Sequence, residues 1–405
     1  MKKTGYLLLL LYLVFAGVDR INFGGNTIES FKLLPHIPLS FLMISFIAFF
    51  KIDDIDFSWI FNKKSVLIFF SLFMIFVIIS ILFSIDILYS FKRFVLLLLI
   101  VSTVIIILSS YNNKELKEYL YYASMFGSLL FYIFNILLFL NWLGYFDIDS
   151  NIINLNPNYI AHFIPRLGGF TSDANRGIAI LVIYTFFLFS YFGKKNIITQ
   201  FIIILNILFI FASLSRTAIV FFIITISLYS ILSATGREKI AVFIFIPISL
   251  ILLFSIINFY SENNIIDIES ALEERLTLDN FNHDTSAGIH LKLINEGFKI
   301  AFSDMKIFFV GCGHGASYKI IKGFEMSRKK IGNFHSQYLS VLVENGIFAS
   351  LSLLILTIIL PLFYYRNKLL PLLVGLFCFN LLYQLTNEPL YWFTLLYYYK
   401  FNDYA

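Results

Sequence analysis

Apolar residues in this chain come in long uninterrupted stretches separated by short polar connectors, and the stretches lack the strict two-residue alternation of a membrane β-barrel. Runs of about 17 to 22 residues recur, each long enough to cross a hydrocarbon core of about 30 Å as a helix. Counting shorter and longer runs as well gives about twelve spans, over 5–18, 33–50, 66–85, 94–110, 119–140, 177–193, 197–213, 217–234, 240–259, 337–362, 369–386 and 389–400, the first and last short enough to be tilted or re-entrant. The first follows Lys2 and Lys3 in the manner of a signal peptide, but Ala16-Gly17-Val18-Asp19 is a poor cleavage site and the run reads as a retained span. The pattern predicts an all-α polytopic integral membrane protein of about twelve transmembrane helices, with both termini on one side.

One connector breaks the rule of brevity. From Tyr260 to Phe334 the chain is polar, with nine Lys/Arg and ten Asp/Glu, which makes a large outer loop between spans 9 and 10. Within it Leu291, Ile294, Phe298 and Phe302 share one helical face while Lys292, Glu296 and Lys299 share another, so an amphipathic helix is predicted to lie on the membrane or cap a cavity. Glu269 to Leu276 reads as a second helix. The chain thus divides into a nine-span bundle over 1–259, the loop over 260–335 and the C-terminal membrane helices over 336–405, all within one membrane domain.

Composition agrees with this pattern. Of 405 residues 59% are hydrophobic and only 14% charged, with a mean hydropathy of +0.83, against a charged fraction of about a quarter in soluble domains. With the N-terminus inside, fourteen Lys/Arg fall on inner ends and loops and seven on short outer loops, which favours cytoplasmic N- and C-termini. The net charge of +5 is therefore accounted for by topology, and no nucleic-acid partner is implied. Cys312 and Cys378 are too few for a disulfide framework.

Charge is almost absent from the spans, which argues against an ion-coupled transporter. What chemistry there is collects on the outer side. His335 stands at the mouth of the tenth span, where a titratable imidazole is placed for proton transfer. Gln337 follows in the same helix, and Glu344 lies two to three turns deeper, in reach of a supporting hydrogen-bond network or of a quiet pairing with a neighbouring helix. Arg166 and Arg176 bracket a glycine-bearing outer loop, as phosphate-gripping residues or as plain interface anchors. Arg216 sits in the short turn Leu214-Ser215-Arg216-Thr217, close enough to the membrane to need an anion or a buried partner. Cys312, His314 and His290 make an incomplete zinc constellation, and no metal or cofactor is expected. Arginines with a lone histidine suit displacement of a pyrophosphate leaving group, the arginines holding its charge and the histidine deprotonating the attacking hydroxyl.

Four pieces of the sequence carry a family resemblance. They are Arg166 to Gly177, Ser215-Arg216, Gly311-Cys312-Gly313-His314-Gly315, and His335-Ser336-Gln337-Tyr338-Leu339 followed by Glu344-Asn345-Gly346. In their order and in the predicted topology the chain resembles the O-antigen ligase/polymerase superfamily of bacterial envelope enzymes, and among these most an O-antigen polymerase. The resemblance implies a metal-independent glycosyltransferase of the inner membrane, with a periplasmic active site, using an undecaprenyl-pyrophosphate-linked oligosaccharide. It implies His335 as the base and Arg216 as a pyrophosphate contact, and it makes a chain-length regulator and a flippase the expected membrane partners. Two departures stand out. Gly288-Ile289 leads to His290 where the family commonly has arginine, leaving Arg275 or a protonated His290 as the second pyrophosphate contact, and Ser336 replaces the usual asparagine. An O-antigen ligase, whose acceptor is lipid A-core, is the alternative within the same chemistry, and a lipid-linked oligosaccharide flippase is the alternative outside it.

Overall fold

The computed structural model describes residues 2–24, 33–145, 152–155, 159–160, 164–190, 197–234, 236–262, 286–321, 325–326, 329–330 and 334–401. Among these the chain is helical apart from two pairs of two-residue antiparallel strands, Tyr159–Ile160 with Ile164–Pro165 and Glu325–Met326 with Lys329–Lys330. Each apolar run of the sequence falls on a helix. Among the described residues four helices are long and apolar enough to cross a membrane: Lys64–Leu82, Ile87–Ser110, Asn113–Trp142 and Gln337–Phe363. A fifth crossing results if His36–Phe50 and Ile52–Phe61, bent by 91°, form one span. Gly236–Glu262 is 27 residues long, whereas other apolar helices are shorter, 17 residues in Ala174–Ser190 and Arg216–Leu232 and 12 in Pro389–Lys400, below the roughly 20 residues of a full crossing.

Helix starts follow local chemistry. The Asn113–Trp142 helix extends well before its apolar run because Asn112 and Glu115 form a reciprocal capping box. Pro35 precedes the His36–Phe50 helix, where its missing N–H costs nothing.

The chain forms two compact units. The first comprises Met1–Ile55 and Ile106–Thr277. Its centre is the Ala174–Ser190 helix, buried on nearly every side, as expected of a helix that is apolar all round. Against it pack Asn113–Trp142, Ile197–Ala212 and Arg216–Leu232. Polar side chains tie neighbouring helices: the Tyr132 hydroxyl donates to Asn206 Oδ1 at 2.5 Å, and Asn206 Nδ2 donates to Ser128 Oγ at 3.0 Å. In an apolar surround such bonds fix helix register, because an unpaired amide there has no water to turn to.

The second unit comprises Asp56–Ile105 and Leu278–Ala405, and it is organised around Gln337–Leu354. Lys64–Leu82, Ser286–Ser303, Met305–Val310 and Leu370–Leu382 all pack on that helix. Leu293, Ala301, Cys312, Phe334, Leu339, Leu342 and Val343 form a hydrophobic core between that helix and the segment preceding it. The amphipathic helix of the sequence is present as Ser286–Ser303. Leu293, Gly297 and Ala301 face inward, while Leu291, Phe298 and Phe302 stay exposed. The second loop helix expected at 269–276 lies outside the described residues.

Candidate functional site

The second unit holds a polar cleft whose backbone frame explains two of the sequence motifs. Gly346 has φ +81° and ψ 174° in the middle of the Gln337–Leu354 helix, so the helix breaks there. A break interrupts the i→i−4 ladder and releases carbonyls. The carbonyls of Val343 and Glu344 are taken up by the N–H groups of Cys312 and Gly313, at 2.9 and 3.0 Å. The loop can come this close because Gly311 and Gly346 lack side chains: a Cβ on Gly311 would stand 2.2 Å from the Glu344 carbonyl oxygen, and one on Gly346 would stand 2.2 Å from that of Phe309. Thus the Gly311–Gly315 stretch and Glu344-Asn345-Gly346, about thirty residues apart in sequence, form one interlocked element.

Glu344 completes that element from its side chain. It is buried, and its two oxygens accept from the Gly315 N–H at 2.9 Å and the Ser317 hydroxyl at 2.6 Å. A cleft of about 190 Å³ opens beside it, lined by Tyr89, Arg93, His314, Gly315, Glu344, Gln384 and Asn387. His314 is 5% exposed, and neither ring nitrogen has a hydrogen-bond partner. The Asn345 carboxamide lies alongside the ring without hydrogen-bond geometry. Burial, with the nearby Arg93 cation, pulls the His314 pKa down to about 3, so the ring is neutral at physiological pH. Arg93 packs over Gly315, and its buried Nε has no partner. At the rim Asp86 accepts from Lys319 at 2.8 Å, from the Tyr318 hydroxyl at 2.7 Å and from the Tyr89 N–H at 3.1 Å. The hydrogen bonds from Lys319, then Tyr318 and Tyr89, hold its carboxyl down to about 2.

His335 stands next to this cleft along the chain. Its ring centroid lies 6.3 Å from that of Tyr383, the residue before Gln384. Its backbone has φ +53°, one of only two non-glycine residues in the left-handed region among those described. A histidine held there costs about 1 kcal/mol or more and persists where the surroundings impose it. Gln337 supplies part of that constraint. Fully buried, it donates from its backbone N–H to the Tyr383 carbonyl at 3.0 Å and from Nε2 to the Tyr391 hydroxyl at 2.8 Å, and its Oε1 accepts from Leu385 N–H at 3.0 Å. The start of the helix is thereby clamped to the 383–391 connection.

The predicted arginines gather in the first unit. Asn175 Oδ1 accepts from Arg166 Nη2 at 3.1 Å and from the Ser215 hydroxyl at 2.7 Å, joining two loops far apart in sequence. Arg216 is the next residue, exposed at the first position of its helix, and Leu214 before it is the other left-handed non-glycine, at φ +51°. Arg176 forms an ion pair with Asp19, which also accepts from the N–H and hydroxyl of Ser172. Arg20 is buried and donates to the carbonyls of Gly169 and Asn154 at 2.8 and 2.9 Å. Arg275 lies outside the described residues, as does the side chain of His290, whose backbone belongs to Ser286–Ser303. Arg93, His314, Asn175, Gln384 and Asn387 were not singled out as site residues. His314, inside the glycine-rich stretch, and Asn175, inside Arg166 to Gly177, carried a sequence signal.

Apolar helices long enough to cross a membrane, with a polar cleft where several of them begin and end, define a helical protein of the membrane-spanning kind. Residues 201–354 match the family model described as O-antigen ligase. The match supports the O-antigen ligase/polymerase superfamily, whose members are glycosyltransferase-like enzymes of polysaccharide assembly. No curated protein and no solved structure matches the chain.

Proposed function

We propose that this chain is a surface-polysaccharide polymerase of the O-antigen type in the bacterial inner membrane, working at the periplasmic face. It transfers the growing glycan from undecaprenyl pyrophosphate to the next lipid-linked repeat unit. His335 takes the proton from the acceptor hydroxyl as the oxygen bonds to the anomeric carbon, and the bond from that carbon to the pyrophosphate oxygen breaks. The leaving undecaprenyl pyrophosphate carries the negative charge, which Arg216, with Arg166 and Arg176 on the adjoining loop, is assigned to stabilise. Arg275 or His290 is the candidate for a further contact.

The observation that carries the reading is the backbone of His335. An imidazole held at φ +53° at a helix start, clamped next door by Gln337, is an arrangement that folding alone does not require. The family description favours the ligase as second reading, since it names that activity. The departure at Gly288-Ile289-His290 from the arginine-bearing pattern favours the polymerase.

Two host strains separate them, one lacking its polymerase and one its ligase, each supplied with the matching repeat-unit genes and this chain. The expected result is a lipopolysaccharide ladder restored only in the polymerase-null strain. His335→Ala then collapses it to a single-repeat band, and Arg216→Ala does the same or nearly so. A ladder unchanged by His335→Ala, with the variant present in the membrane, removes the catalytic assignment. Rescue only of the ligase-null strain moves the acceptor to lipid A-core.

A further inference from the structure

The cleft of the second unit has a composition that selects among ligands. Its lining offers one cation, Arg93, facing the Glu344 carboxyl, and otherwise neutral groups that both donate and accept: the Gln384 and Asn387 carboxamides and the His314 imidazole. Pyrophosphate presents only acceptors and several negative charges, and its usual hosts gather cations or backbone N–H groups. Here it would meet a single guanidinium and a carboxyl oxygen, while the N–H of Gly315 is already given to Glu344. A sugar hydroxyl donates and accepts at once and matches such a wall. Tyr89 adds an aromatic face, its ring centroid 4.9 Å from that of Tyr318, against which the C–H side of a pyranose packs. At about 190 Å³ the cleft lies below the roughly 300 Å³ at which pockets for drug-sized ligands begin, so it admits one ring rather than an oligosaccharide. His314 is the second, independent sign of a ligand: it is a buried imidazole lining the cleft with both nitrogens open.

We infer that this cleft is a subsite for a single uncharged sugar residue of the glycan, held by Arg93, Glu344, Gln384 and Asn387 with Tyr89 as its stacking wall. This rests on the polysaccharide-assembly reading and adds to it a sugar-binding role distinct from pyrophosphate binding.

The test uses the full-length protein in a detergent without a sugar headgroup. Saturation-transfer NMR is recorded with the methyl glycosides of glucose, galactose, rhamnose and N-acetylglucosamine, each with and without inorganic pyrophosphate. At least one glycoside is expected to bind saturably and to resist displacement by pyrophosphate. Gln384→Ala and Asn387→Ala should each weaken it roughly 3- to 10-fold, the loss of one hydrogen bond. Tyr89→Ala, at an exposed position where folding is least at risk, should weaken it comparably. Binding by none of the four, displacement by pyrophosphate, or equal affinity in all three variants overturns the subsite. His335→Ala is measured in parallel. If it keeps glycoside binding while the ladder is lost, both readings stand, whereas a surviving ladder with intact glycoside binding removes only the catalytic role of His335.

Discussion

His314 shows how far a single residue's environment departs from its sequence context. Its neighbours Gly313 and Gly315 suggest an open turn, yet the ring is buried and its pKa lowered from 6.5 to about 3. Between those values the unfolded chain binds a proton that the folded chain refuses, so stability rises with pH across that window. Thermal unfolding of the detergent-solubilised protein should therefore show a melting temperature that falls as pH is lowered from about 6.5 toward 4. His314→Gln should flatten that slope. Asp86 has the same sign, but its window lies below 3.8 and does not contribute at pH 5. A slope unchanged by His314→Gln would place the acid sensitivity elsewhere.

At the scale of the element, the interlocked loop and broken helix make the sharpest structural prediction. Gly346→Ala puts a Cβ into a left-handed residue and against the Phe309 carbonyl oxygen, and Gly311→Ala does the same against that of Glu344. The conformational penalty alone is about 1–2 kcal/mol for each, and the overlap adds to it. Gly236→Ala, with open space around its α-carbon, is the control and should leave the melting temperature nearly unchanged. If Gly346→Ala melted like the control, the break would not be a rigid part of the unit. Helix placement was legible beforehand because it rests on apolar runs and on capping residues such as Asn112 and Glu115, which act within a few positions of each other. The break at Gly346 was not, because nothing local distinguishes a glycine that kinks a helix from one that lets a neighbour approach.

For the whole molecule, the apolar runs and the basic bias make a prediction about sidedness. In a background with Cys312 and Cys378 replaced, a cysteine at Lys319 should react with a membrane-impermeant maleimide added to spheroplasts. One at Asp54 should react only after permeabilisation. The reverse pattern would invert the orientation, and labelling of both would break the odd-even count of spans between them. Arg93, Gln384 and Asn387 sit near connections that this count assigns to the same side as His335, which is why the sidedness of one bears on all.

Apolar periodicity determined that this chain is built from helices long and apolar enough for a membrane, and where most of them begin, since a helix of about 20 residues is specified by its own hydropathy. It also marked His335, Arg216 and the glycine-rich stretch, because polar residues at the edge of an apolar run have few bland uses. Only the tertiary structure decided which polar groups meet. Asn175 joins Arg166 to Ser215, Glu344 caps Gly315 and Ser317, and Arg93 faces His314 across a cleft. These pairings span tens to hundreds of positions, and they are set by how apolar faces pack, a property of the surfaces brought together rather than of any one stretch of sequence.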